Sequence, residues 1–150
     1  VMKADDLFHV GIVTDDLDAT RAQLSALLHY EWGPEIGAPI EVTLADGPAT
    51  VEITCAYSTT TPRLEVIRSV PGTFWETVGG SGLHHVGYWS DDVGADAAEL
   101  ERLGYVTEAT RSAPDGSPFF VFMRSDTGFR MELVTRAAEP SLRQCWADRS

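Results

Sequence analysis

The sequence contains a second copy of its own beginning. Laid over one another at a shift of 76 and without a gap, LFHVGIVTDDLDATRAQLSALL (Leu7 to Leu28) and LHHVGYWSDDVGADAAELERLG (Leu83 to Gly104) agree at ten of 22 positions. Ordinary residue usage gives roughly one or two agreements. A duplication of this kind restricts the fold to two copies of one structural unit, and each copy must solve the same local problem.

Each copy opens with a short apolar run, HVGIV or HVGYW, stopped by TDD or SDD. Helical periodicity follows. Leu17, Leu24, Leu27 and Leu28 share one face in the first copy, and Val93, Ala97, Leu100 and Leu103 share one in the second. An Asp of each pair suits the helix N-cap, where its carboxylate accepts from backbone N–H groups that have no helical partner. Gly104 suits a left-handed helix end. The period then switches towards two. Strands are expected near Ile40–Leu44, Thr50–Tyr57 and Arg63–Arg68, and near Tyr105–Thr110, Phe119–Met123 and Arg130–Thr135. Asp46–Gly47, STTTP, SAPDGSP and SDTG supply the turns. Both modules therefore read βαβββ, an α+β pattern, within one domain. The first module spans 7–70, a glycine-rich linker 71–82, the second module 83–136, and a polar tail 137–150.

The module ends match as well. At a shift of 67, PRLEVIR aligns with FRMELVT, which sets Arg63 on Arg130 and Glu65 on Glu132. The first module carries about nine extra residues between Tyr30 and Ala45, because its two shifts differ by that amount.

Charge removes several functions. The chain has 11 basic and 23 acidic residues, a net charge of −12. Sequence-independent nucleic-acid binding needs a surplus of Lys and Arg, as does a polybasic membrane surface. The longest stretch free of charged residues, Thr77 to Ser90, has 14 residues, against the roughly 20 a spanning helix needs. The start, VMKADD, lacks the apolar core of a signal peptide. Cys55 and Cys145 stand far apart with no C-x-x-C spacing, which suits reduced thiols in the cytoplasm.

The duplication carries two His and two Glu at matched places: His9 with His85, and Glu65 with Glu132. Each lies inside an apolar strand. Two modules related by a pseudo-twofold axis bring their first and last strands together, so all four side chains can project into one cleft. Inward carboxylates without a cation repel one another and carry a desolvation cost. A divalent ion removes both problems, and two imidazoles with two carboxylates suit Zn, Ni, Co, Fe or Mn. His84 neighbours His85, and neighbours on a strand point to opposite faces. The duplication pairs it with Phe8, so it is expected to be no ligand. His29 closes the first helix and is given no role in the site.

LFHVGIVTDDLDA, PRLEVIR, GLHHVGYWSDDV and GFRMELV together resemble the vicinal oxygen chelate superfamily. That superfamily includes glyoxalase I, methylmalonyl-CoA epimerase, extradiol dioxygenases, and fosfomycin and bleomycin resistance proteins. The resemblance runs from about Leu7 to Arg136 and is nearest in motif to the epimerase and to bacterial glyoxalase I. It implies an eight-stranded open barrel of paired βαβββ modules around one divalent metal, with His9, Glu65, His85 and Glu132 as ligands. It also implies proton transfer next to a carbonyl of a small acyl-thioester or 2-oxo substrate, with Glu132 as first choice of base and Glu65 as second. The outcome would be epimerisation, isomerisation or a glyoxalase-type lyase reaction. A homodimer is expected. Alternation sets Trp89, Arg63 and Arg130 on the same faces as the four, where they are candidates for substrate binding; balancing an acidic surface is the competing role of the two arginines. The linker's Trp75 is either a cover for the cleft or core. The rival functions are a drug-sequestering protein without metal and a ring-cleaving dioxygenase.

Overall fold

Apolar β-branched runs stopped by Asp pairs set the alternation of strand and helix, and the computed structural model, which describes residues 2–77 and 79–147, follows it in both copies. A 3-10 turn at Ala4–Asp6 leads into β1 (Leu7–Thr14), α1 (Leu17–Leu28), β2 (Ile36–Leu44), β3 (Gly47–Tyr57) and β4 (Leu64–Arg68). The second copy holds β5 (Ser81–Ser90), α2 (Val93–Arg102), β6 (Val106–Ser112), β7 (Pro118–Arg124) and β8 (Arg130–Thr135). A short 3-10 turn and α3 (Glu139–Arg143) follow. The hydrogen-bonded strand order is β1-β4-β3-β2-β6-β7-β8-β5, and it closes. The expected eight-stranded α+β barrel is present, closed by hydrogen bonding rather than open. Among the described residues no helix is long and apolar enough to cross a membrane.

Both helices start on an Asp of the pair, as expected, and in each it is the second Asp. Asp16 accepts from the backbone N–H of Ala19 at 2.9 Å, and Asp92 from that of Ala95 at 3.0 Å. A second brace is duplicated too. At the end of β1 the Thr14 hydroxyl lies 2.8 Å from that of Thr20, and at the end of β5 the Ser90 hydroxyl donates to Asp96 at 2.5 Å. Gly104 takes the left-handed conformation after α2 (φ 93°).

Contacts divide the chain into two compact units. One comprises His9–Pro39, Glu52–His84 and Pro140–Ser150. In it β1 runs parallel to β4, with Gly11 opposite Glu65, and β4 runs antiparallel to β3, with Tyr57 opposite Glu65. α1 packs on β4. The other unit comprises Val1–Phe8, Ile40–Val51 and His85–Glu139. There β5 runs parallel to β8, with Gly87 opposite Glu132, and β8 antiparallel to β7, with Phe122 opposite Glu132. The tip of the β2–β3 hairpin belongs to this unit because β2 pairs with β6 through Thr43 and Leu44. Its core joins Val93 and Leu100 of α2 to Val121, Met123 and Leu133, with Met131 packed against them. Met131 and Leu133 thus face the helix, and alternation turns Glu132 to the opposite face.

Three leucines correct the expected helix faces. Leu27 and Leu28 of α1 are 76% and 60% exposed, and Leu103 after α2 is 68% exposed. Leu17 and Leu100 are buried as expected. Leu27 lies about 80° round the helix from Leu17, and Leu28 ends the last turn. Periodicity marks an apolar face without saying how far the sheet beneath extends. β2 begins at Ile36, four residues before its expected start.

Candidate functional site

The register of the parallel strands builds a His–Glu pair in each unit. Glu65 stands opposite Gly11, and His9 lies two residues earlier on the same face of β1. Glycine has no side chain to interpose, so the His9 Nε2 reaches to 3.3 Å from Glu65 Oε1. In the other unit Gly87 stands opposite Glu132, and His85 Nε2 lies 3.3 Å from Glu132 Oε1. All four residues are buried.

Each pair fits a divalent cation. Ligand nitrogen and oxygen atoms about 2.1 Å from one ion are about 3.0 Å apart at right angles and about 3.4 Å apart at the tetrahedral angle. The 3.3 Å separations fall in that interval. The donor types agree with it, since a ligating imidazole is neutral and a ligating carboxylate ionised.

An aromatic edge or face completes each pair. His9 meets Tyr57 at 5.7 Å between ring centres and 85° between planes, while His85 meets Phe122 at 4.9 Å and 87°. T-shaped packing of this kind fixes the ring plane of an imidazole. Sequence reasoning missed both aromatics. The signal that finds them is the antiparallel partner of each Glu, which depends on the hairpin register. The two pairs differ at this position by one phenolic hydroxyl.

The remaining candidates separate. Trp89 is buried and stacks on Phe8, centroids 3.7 Å apart and planes 10° apart. Arg130 makes a two-point contact with Glu108, at 2.7 and 3.2 Å, and the same carboxylate lies 3.5 Å from Arg124. Arg63 is half-buried, donates from Nε to the Ser58 carbonyl at 3.1 Å, and lies 4.6 Å over the ring of Trp146. His84 is buried and lies 2.9 Å from the Phe74 carbonyl, so it ties the linker to β5. Trp75 is buried beside Phe74. His29 caps α1 in the left-handed conformation. Cys55 and Cys145 form no disulfide.

The insertion as far as Pro39 and the tail from Pro140, which match nothing in the second copy, pack within one unit. The Tyr30 hydroxyl donates to the Pro62 carbonyl at 2.7 Å, and the Trp32 indole to the Ser25 hydroxyl at 3.0 Å. Gly33 lies so close to the tail that a Cβ there would sit 1.9 Å from the Cys145 carbonyl oxygen. The tail then buries Trp146 against Tyr57, at 5.2 Å between ring centres.

A family profile described as the glyoxalase/bleomycin resistance protein/dioxygenase superfamily matches residues 8–139. No curated protein is significantly similar to the sequence. Solved structures are similar. A variant of the Streptomyces coelicolor methylmalonyl-CoA epimerase in complex with 2-nitronate-propionyl-CoA is 24% identical, with a TM-score of 0.62, over 92% of this chain and all of that one. A methylmalonyl-CoA epimerase in complex with methylmalonyl-CoA and ammonium is 25% identical, with a TM-score of 0.60, over 89% of this chain and 95% of that one. The Mycobacterium tuberculosis methylmalonyl-CoA epimerase is 20% identical, with a TM-score of 0.59, over 91% of each chain.

Proposed function

Because the chain belongs to the glyoxalase/bleomycin resistance protein/dioxygenase superfamily, we propose that it is a divalent-metal-dependent enzyme that moves a proton next to the carbonyl of a small acyl thioester. The observation that carries this reading is the duplicated His–Glu pair, with the same atoms at the same 3.3 Å in each unit. One donor atom from each of His9, Glu65, His85 and Glu132 also lies within 4.8 Å of the others, which supports a single shared ion. The acyl thioester class is taken from the ligands of the two epimerases, 2-nitronate-propionyl-CoA and methylmalonyl-CoA.

A bound divalent cation supplies Lewis-acid stabilisation of the charge that develops on a carbonyl oxygen. His9 and His85 would hold it, their ring planes fixed by Tyr57 and Phe122. Glu132 takes the proton from the carbon beside the carbonyl, and Glu65 is the second candidate for that task or for returning the proton on the other face. Return to the same carbon gives epimerisation, and return to its neighbour gives isomerisation. Burial excludes competing water from both carboxylates.

Deuterium uptake from heavy water into a panel of acyl-CoA compounds tests the reaction class. Glu132→Gln keeps the shape and removes the basic oxygen. It should lower turnover by at least ~10²-fold, the usual size of a lost general base. Unchanged turnover takes Glu132 out of the role.

A further inference from the structure

The unit that holds His9 and Glu65 has a second concavity, built largely from segments the other copy lacks. A cavity of about 730 Å³ lies between residues 30–34, at the start of the insertion, the loop at Thr59, and Ala147 of the tail. That volume falls within the roughly 300–1,000 Å³ of small-molecule sites. None of the four proposed metal ligands lines it, so the duplicated centre does not account for it. Gly33 makes the junction between insertion and tail, because a Cβ there would collide with the Cys145 carbonyl.

Tyr30 and Trp32 form an aromatic wall, ring centres 5.9 Å apart and planes 29° apart. Their polar ends are anchored. The Tyr30 hydroxyl donates to the Pro62 carbonyl at 2.7 Å, and the Trp32 indole to the Ser25 hydroxyl at 3.0 Å. That hydroxyl donates in turn to the Tyr30 carbonyl at 2.8 Å. The Glu31 backbone is held on both sides: its N–H donates to the Thr60 hydroxyl at 2.9 Å and its carbonyl accepts from the Thr59 N–H at 2.8 Å. What remains is ring face, the Thr59 hydroxyl and the Glu31 carboxylate, the one charge in the lining among the described residues. Trp146 in the same unit already carries a cation, Arg63, at 4.6 Å; among the described residues no cation lies over Tyr30 or Trp32.

This inventory selects a ligand by charge. No Lys, Arg or His lines the cavity, and the chain carries a net charge of −12, so a phosphate or carboxylate meets only repulsion there. The faces of aromatic rings are the negative part of their quadrupole and attract cations. A primary ammonium brings three N–H donors, and the carbonyl and hydroxyl acceptors of Tyr30, Glu31 and Ser25 are already in use. A methylated ammonium makes little or no such demand, and its methyl groups pack on ring faces. We propose that this cavity binds a small organic cation by its methylated ammonium group, seated against Tyr30 and Trp32 with Glu31 as counter-ion. The site is separate from the proposed proton transfer and needs no metal.

Isothermal titration of the whole protein tests it, in about 0.15 M salt, where exposed charges are screened beyond about 8 Å. The probes are choline, its neutral isostere 3,3-dimethylbutan-1-ol, and ethanolamine. Choline should saturate with a Kd below about 1 mM, equally in cobalt-loaded and chelator-treated protein, and the other two should bind at least about tenfold more weakly. Trp32→Leu should weaken choline by about 5- to 30-fold, the range of a cation–π contact shielded from water, and Trp32→Phe should restore part of the loss. Glu31 is exposed, so Glu31→Gln keeps the test valid if Trp32→Leu fails to fold; it should weaken choline by about two- to fivefold. Glu101→Gln, an exposed carboxylate on α2, is the control and should leave the affinity unchanged. The site is overturned if choline shows no saturation below about 10 mM, or if either other probe binds within about twofold of it. Choline binding that requires cobalt, or that survives both the Trp32→Leu and Glu31→Gln changes, overturns it equally.

Discussion

Replacing one carboxylate of the proposed metal site has a magnitude that can be worked through. A ligand that binds only the native state stabilises it by RT ln(1 + [L]/Kd), or about 2.7 kcal/mol when cobalt is present at a hundred times its Kd. For a domain of 150 residues, each kcal/mol moves Tm by roughly 2–4 °C, so saturation should raise Tm by about 5–11 °C. In Glu65→Gln the side chain keeps its size, but the anionic oxygen 3.3 Å from His9 becomes a neutral amide. Loss even of an outer-shell partner weakens metal binding 10- to 100-fold. At the upper figure the same cobalt concentration equals Kd, and the stabilisation falls to about 0.4 kcal/mol, a rise of under about 2 °C. Glu132 stands in the same geometry with the same burial, so Glu132→Gln should lose metal-linked stability to the same extent. The assay is thermal unfolding of chelator-treated protein with and without cobalt, beside elemental analysis of the loaded protein. Two ions per chain, or full metal-linked stabilisation in either variant, would refute a single site shared by both pairs.

The duplicated brace between strand end and helix gives an internal comparison. Asp96→Ala breaks a bond between the Ser90 hydroxyl and a carboxylate, whereas Thr20→Ala breaks one between hydroxyls; urea unfolding should show a loss of about 1.5–3 kcal/mol for the first and about 1 kcal/mol for the second. Leu17 is 1% and Leu27 76% exposed, so Leu17→Ala should cost about 2–5 kcal/mol and Leu27→Ala less than about 0.5, by the same measurement. The Lys3 backbone N–H and the Arg136 guanidinium hold the Asp6 carboxyl below its ordinary 3.8. A depressed native pKa contributes stability that is present above 3.8 and lost as pH falls through the lower native value. Arg136→Met should therefore lower the urea midpoint at about pH 5 and leave little difference at about pH 2.

Much of the candidate site is readable because the chain repeats itself. A lone His9 beside Val10 reads as an ordinary core histidine, but its agreement with His85, and that of Glu65 with Glu132, mark four positions together. Neighbour alternation also takes His84 away from the ligand face, and it bonds to the linker. Tyr57 and Phe122 escape such reasoning. Each meets its histidine only because a hairpin register sets it opposite a glutamate, and the loops between β3 and β4 and between β7 and β8 differ in length, so no constant shift in sequence relates the two aromatics. Arg63 and Arg130 show the same limit. They align in sequence, yet one meets Glu108 and the other meets Trp146, a residue of the unrepeated tail.

The sequence by itself determined the repeated strand–helix order, the Asp caps and the four paired ligand candidates. All of these follow from local periodicity, from capping chemistry or from comparing the chain with itself. Tertiary structure alone decided which aromatic ring fixes each imidazole, how little of each leucine face is covered, and that the tail lays an indole beneath Arg63. Those contacts join residues distant in the chain, and they depend on strand register and on the path of the insertion and tail. No local preference of any residue encodes either one.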